Sequence, residues 1–326
     1  MNKNLLVLLL ASLALGACVT MPQNQSRGGS NKPEIEIRDA KAFAKRTEVV
    51  MGNFKVGFLT YTKTRATAGG GFLNSGGTAS SSVRANLTGI PAEVCQRITD
   101  AAYQRFVAAL KTQGFTVRDH ATIAGSPTYQ KVPPMEPPVG DEKLPYALDG
   151  KVDYYVPQGM ALHLPHRSTS YGWGHPHSAY GKYGADEKVA VLDVLYVVDF
   201  MNEETYGGQT KSVAAVNLAQ GLSIKPGSNI SLYAGMGGTF SHDKGSVALG
   251  KGIYATDAFA EVVDSTPEDE TSGNKAGKLL AGLLGGGGRS SKQLEVKADP
   301  TKYETGVNQL LDQTTKKLVT RMSSLR

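Results

Sequence analysis

The chain reads as an α/β (α+β) protein, with a central mixed sheet, a packed helix at about 91–113 and a C-terminal amphipathic helix at about 301–325. Three observations carry that reading. Val94, Ile98, Ala102, Phe106 and Leu110 recur every four residues, which draws one apolar stripe along a helix. In residues 189–200, Ala190, Leu192, Val194, Tyr196, Val198 and Phe200 fill one face of an extended chain, as a buried strand requires. Val307, Leu310, Leu311, Thr314, Leu318, Met322 and Leu325 share one face of a second helix. Hydrophobic content of 40% against 20% charged residues is the balance of a folded body, not of a disordered chain.

The first element in order is a leader. Lys3 supplies a positive charge, Leu5 to Leu10 an apolar run, and Leu15-Gly16-Ala17 small residues before a cut, so residues 1–17 read as a secretory signal. The run is too short to span a bilayer, which takes roughly 20 residues. Leu15-Gly16-Ala17-Cys18 resembles the lipobox of bacterial lipoproteins. The resemblance implies cleavage before Cys18, a diacylglycerol on its sulfur and an acylated amino group; the plainer alternative is an ordinary signal with an incidental cysteine. Several acyl chains hold durably where one binds only marginally. No Asp follows Cys18, where Val19 and Thr20 stand, and in that family this implies sorting to the outer membrane, facing the periplasm. Outer-membrane lipid is therefore the first expected partner, and the N-terminal lipid stands in place of any cofactor. Residues 18–33, rich in Gln, Asn, Ser and Gly, read as a flexible tether.

A periplasmic domain is expected over 34–263. Glu34 to Arg46 is a short mixed segment, and Phe54 to Tyr61 is a strand dense in aromatic and β-branched residues. Gly and Ser clusters make 66–82 a long loop. The first helix has Pro91 at its start, Glu93 at the positive end of its dipole, and Gly114 past its end. Phe115–Arg118 begins another strand. Residues 125–147 hold six of the 15 prolines and read as an extended surface excursion. Strands follow at 151–156, 189–200, 212–224, 230–236 and 246–263, with Asn202–Gly208 as a turn. Ile230 to Ala255 draws a hairpin, either of an ordinary sheet or, in a ring of subunits, one that inserts in a membrane. Residues 264–299 form a Gly-rich mobile segment, in which Ala276–Leu284 is apolar but too short to span, and 300–326 is a helix packing on the domain.

With Cys18 lipidated, Cys95 is the only thiol left, so no intramolecular disulfide forms; its place in the helical stripe makes it a core residue. The net charge is +6, of which Lys3 lies in the leader, leaving +5 spread along the mature chain. That is mild, and without an aromatic-interleaved basic tract it points away from nucleic acid as a partner.

The order of these parts resembles the curli-secretion channel lipoprotein (CsgG-like) family and related periplasmic outer-membrane lipoproteins. The likeness runs through the lipidated start, Phe54–Tyr61, the helix Pro91–Gln113, Phe115–Arg118, the strand pair around 189–224, and Tyr303-Glu304-Thr305-Gly306-Val307 in the last helix. It implies a periplasmic α/β domain, and some members form rings. The chain departs from that family in its proline-rich 125–147 and glycine-rich 264–293 segments, which favours an accessory part over a pore.

Four of six histidines, His163, His166, His175 and His177, fall in one stretch with Pro and Gly that reads as a loop. Clustered histidines bind metals, but this set lacks the His-Glu-x-x-His spacing of zinc hydrolases. Tyr171, Trp173, Tyr180 and Tyr183 in the same stretch read as a surface that contacts a partner or peptidoglycan, with a plain surface loop as the alternative. Asp193 and Asp199 point the same way about 20 Å apart, too far for paired-carboxylate hydrolysis, and read as the wet edge of a strand. Gly69-Gly70-Gly71 and Ser80-Ser81-Ser82 lack phosphate-loop and nucleophile-elbow spacing. No catalytic set stands out. The sequence thus points to a non-enzymatic, homo-oligomeric structural or assembly component of an envelope machine for secretion or surface appendages. A ring-forming export channel and a metal-binding periplasmic protein are the alternatives.

Overall fold

Strands of apolar, β-branched and aromatic residues pair around two unusually long members to make the body of the fold. The computed structural model describes residues 32–68, 78–143, 149–170, 172–206, 215–236, 242–267 and 289–326. Cys18, the leader, the tether to residue 31 and Ala276–Leu284 lie outside the described residues. In chain order the elements are β1 (Ile35–Arg38), β2 (Glu48–Ala68), β3 (Ala79–Thr88), α1 (Ala92–Thr112), β4 (Thr116–Arg118), α2 (His120–Ala124), α3 (Pro127–Gln130), β5 (Val139–Lys143) and β6 (Asp149–Tyr155). They continue with α4 (Pro176–Glu187), β7 (Ala190–Tyr206), β8 (Ala215–Ile224), β9 (Asn229–Met236), β10 (His242–Leu249), β11 (Ile253–Tyr254), β12 (Ala260–Asp264), β13 (Arg289–Ala298) and α5 (Pro300–Ser323).

The strands form one mixed sheet in the order β1-β10-β9-β7-β2-β3-β13-β12, with β4, β6 and β8 paired off that path. The parallel pair β2–β7 is its axis, in register from Val49↔Ala190 to Phe58↔Val198. Past Val198 the two part company. Tyr61 to Ala68 of β2 then pair with β3, and Val198 to Tyr206 of β7 pair with β8. The sheet therefore ends in two arms, β2–β3 and β7–β8.

One sheet face is apolar because alternate residues of β2 and β7 (Phe54, Val56, Phe58; Leu192, Val194, Tyr196) point to it. Helices α1 and α5 cover it. The predicted stripe Val94, Ile98, Ala102, Phe106 and Leu110 is buried, as are Tyr303, Val307, Leu310, Leu311, Thr314, Leu318 and Met322. Phe54 packs edge-on against Tyr196 at 5.7 Å and tilted against Phe106 at 5.5 Å between ring centres. Gly114, at φ +79°, ends α1 in the left-handed conformation that glycine adopts without strain. Asp299 caps α5, accepting from the Thr301 and Lys302 amides at 2.9 and 3.0 Å.

Several boundaries differ from the sequence reading. Residues 66–68 and 79–82 are strand, not loop, because Ser80 to Ser82 pair with both β2 and β13 and so complete two ladders. The turn expected at 202–208 is strand to Tyr206, and 246–263 is three strands, not one. Residues 289–298, expected in a Gly-rich mobile segment, form β13, held parallel to β3 and antiparallel to β12. The Pro-rich excursion contains the short helix α3 and the strand β5. The 230–255 hairpin lies inside the sheet, β9 between β7 and β10, with Ile230, Leu232 and Tyr233 buried.

Candidate functional site

The second sheet face is different in kind. A row of polar side chains crosses it where Asn53, Asp193 and Ser231 stand in register on three adjacent strands. Lys55 lies one pleat further along β2. The sheet is continuous here, so these groups are sealed from above by the excursion α2–α4, and Lys55 and Asp193 form a buried ion pair. Around it stand Tyr129 from α3, Tyr180 and Tyr183 from α4, and Tyr233 from β9. His163 joins them from the segment before α4; its Nδ1 lies 2.9 Å from the Tyr180 hydroxyl.

A bulge organises the contact between excursion and sheet. The β2–β7 register shifts between Met51 and Asn53, which turns carbonyls out of the ladder. His120 bonds through Nδ1 to the Met51 carbonyl at 2.7 Å, so that nitrogen carries the proton, and the Tyr129 hydroxyl donates to the Gly52 carbonyl at 2.9 Å. Asn53 returns a bond from Nδ2 to the Ala161 carbonyl at 2.7 Å. A side chain at Gly52 would put its Cβ 2.6 Å from Val191 Cγ1, so the bulge needs glycine for space.

Burial, and then the Asp193 charge, raise the pKa of Tyr129, Tyr180 and Tyr233, so all three stay protonated. Burial, followed by the charges of Lys55 and His120, pushes His163 down to about 3, which makes it a neutral imidazole at any ordinary pH. Lys244, from β10, lies 5.0 Å above the Tyr233 ring, and burial lowers its pKa.

These positions revise the sequence reading of the stretch. Tyr180 and Tyr183 are buried, so they serve the core and not a contact surface, because 176–187 is a helix and not a loop. Tyr171 and the Trp173 side chain lie outside the described residues. His163 is a core residue, His175 caps α4 by accepting from the His177 amide, and His166 is exposed beside Tyr154. His175 and His177 rings meet at 5.0 Å. Among the described residues no three His, Cys, Asp or Glu side chains are arranged to hold a metal ion. Asp193 and Asp199 are both buried and ion-paired, not the wet edge of a strand: Asp199 takes Lys225 at 2.6 Å and the Phe200 amide at 2.8 Å.

The sequence reading missed Lys55 as Asp193's partner. The signal was there: a lysine at 55 and an aspartate at 193, each inside a mostly apolar stretch of strand, are too costly to bury unless matched.

Two hollows flank α1. An open cleft of about 410 Å³ is lined by Tyr103, Gln104, Lys111, Arg118, Asp119 and His120. A smaller one, about 90 Å³, holds Cys95, Asp153, Tyr155 and Tyr303. Burial, and then Asp153, push the Cys95 thiol up to about 12, so it stays protonated, the reverse of an activated nucleophile. The cluster under α2–α4 is thus a polar core that fixes the excursion to the sheet. No family model, no curated protein and no solved structure matches the chain.

Proposed function

We propose that the chain is an outer-membrane lipoprotein, anchored through Cys18 and facing the periplasm, that serves as a non-enzymatic structural or assembly component of a cell-envelope machine. The observation that carries the reading is the run Leu15-Gly16-Ala17-Cys18 between an apolar leader and a polar tether. It is joined by a fold whose first strand starts at Ile35, directly after that tether. Acyl chains hold such a domain at one surface and raise its local concentration for docking to envelope proteins or to further copies of itself. The polar cluster supports a structural role, since its tyrosines, histidine and lysine are engaged with one another and with the sheet. Intact mass of the mature product tests the anchor. A start at residue 18 carrying diacylglycerol and an amide-linked acyl chain is expected, and Cys18→Ser abolishes both. An unmodified, freely diffusing product would refute it.

A second reading, a subunit of a ring-forming export channel, is favoured by one observation: the two arms. Tyr61–Ala68 with β3 and Val198–Tyr206 with β8 are strand pairs of nearly the length, about 9–11 residues, that a barrel strand needs. These arms, not the 230–255 hairpin, are the segments such a ring would use. Detergent-extracted protein imaged as rings with a lumen would favour the channel, and single particles without one the accessory part.

A further inference from the structure

The outward face of α5 carries Lys302, Lys316, Lys317 and Arg321, all exposed. Its two acids are turned aside, where Glu304 pairs with Arg97 and Asp312 with Arg105, both on α1. Lys302, Lys316 and Arg321 have no acidic partner among the described residues. Lys317 pairs with Glu34, the residue before β1, and the Gly250 amide donates to the Glu34 carbonyl at 2.9 Å. The contact with Lys317, helped by the charge of nearby Lys251, lowers the Glu34 pKa. The chain therefore enters the fold against the C-terminal half of α5.

At that entry Lys317 pairs with Glu34, Lys251 lies near Glu34 and Lys32 pairs with Glu36, while Lys316 and Arg321 stand exposed on the same half of α5. Residues Gln313–Ser323 of α5 hold three cations, Lys316, Lys317 and Arg321, and no acid, so this half of the helix is net positive. Sixteen residues, 18–33, separate this entry from Cys18, and a tether of that length, were it the coil the sequence composition predicts, would reach roughly 22 Å. An anchored domain so tethered is brought repeatedly within a Debye length, about 8 Å, of the bilayer. We infer that this basic face, centred on the C-terminal half of α5, docks on anionic lipid headgroups. The lipid then both tethers the domain and sets which way it faces, the two-signal arrangement of an acyl anchor with a polybasic patch. The geometry rests on the anchor reading above; the charge complementarity does not.

The test uses the mature chain with Cys18→Ser, which has no acyl anchor, and sedimentation with vesicles. One set is phosphatidylcholine alone, and the other contains 30 mol% phosphatidylglycerol. Binding to the anionic vesicles only, weakened by added salt, is expected. Lys316→Gln with Arg321→Gln should weaken it about 30-fold, at about 1 kcal/mol per basic residue near an anionic surface. Lys131→Gln with Lys188→Gln, an equal charge loss on the excursion, should change it less than about twofold if charges beyond a Debye length count little. Circular dichroism checks that each variant is folded. Equal binding to both vesicle types, or equal losses in the two double variants, would overturn the inference. A natural product without acyl chains would sink the anchor reading while leaving the vesicle result standing, so the two failures are distinguishable.

Discussion

The buried pair Lys55–Asp193 gives the sharpest handle on the cluster. Its side chains are 4% and 10% exposed, so neither charge can turn to water if its partner is removed. Lys55→Met keeps most of the stem and strands the carboxylate; Asp193→Leu strands the ammonium. Breaking a buried pair this way costs about 3–5 kcal/mol, against a total stability of about 5–15 kcal/mol for such a domain. The double variant removes both charges, and its stability should fall within about 2 kcal/mol of the native chain. The two single losses sum to roughly 6–10 kcal/mol, so the cycle should show a coupling of at least about 4 kcal/mol. Equilibrium urea unfolding of the mature chain with Cys18→Ser, followed by circular dichroism, measures it. Single losses that simply add in the double variant would refute the reasoning, because they would mean each charge is separately solvated.

His163 should make the fold acid-sensitive. Its folded pKa, about 3, lies below the unfolded value near 6.5, so the stability it allows is complete above pH 6.5 and is lost as pH falls towards 3. At pH 5 the deficit is about 2 kcal/mol; His163→Asn should show less loss between pH 7.5 and 5 than the native chain, and equal losses would count against the assignment. Cys95 should resist iodoacetamide at pH 8 in the folded protein and react within minutes in urea, read by mass. Gly184→Ala should destabilise by about 1–2 kcal/mol in urea despite the better helix former, because the new Cβ would stand 2.9 Å from the Val189 carbonyl and 3.0 Å from that of Tyr233. An unchanged midpoint would show that α4 can lift off the sheet.

The two long helices and the central strand β7 were legible because each lays an uninterrupted apolar period against one surface. What escaped has common physical causes. Helix α4 hides behind Gly181 and Gly184, which normally weaken a helix, and Gly184 lets it lie close to β9. Strands β3 and β13 are rich in Ser and charged residues, and besides their nearer partners β2 and β12 they pair with each other across more than 200 residues. Such pairing leaves no local trace. The same holds for the site: Asp193 was visible but Lys55 lies 138 residues upstream, and only the parallel β2–β7 register brings them together.

That wiring also orders events during synthesis. Ser81 meets Ser290 and Arg97 meets Glu304, contacts separated by 209 and 207 residues. The apolar sheet face beside α1 is closed by α5, which packs on α1 and on β8 and β10. A nascent chain of this topology has no way to shut its interior until α5 has emerged and docked. Until then its apolar sheet face stays open, and a copy truncated before α5 should be cleared by proteases and not accumulate.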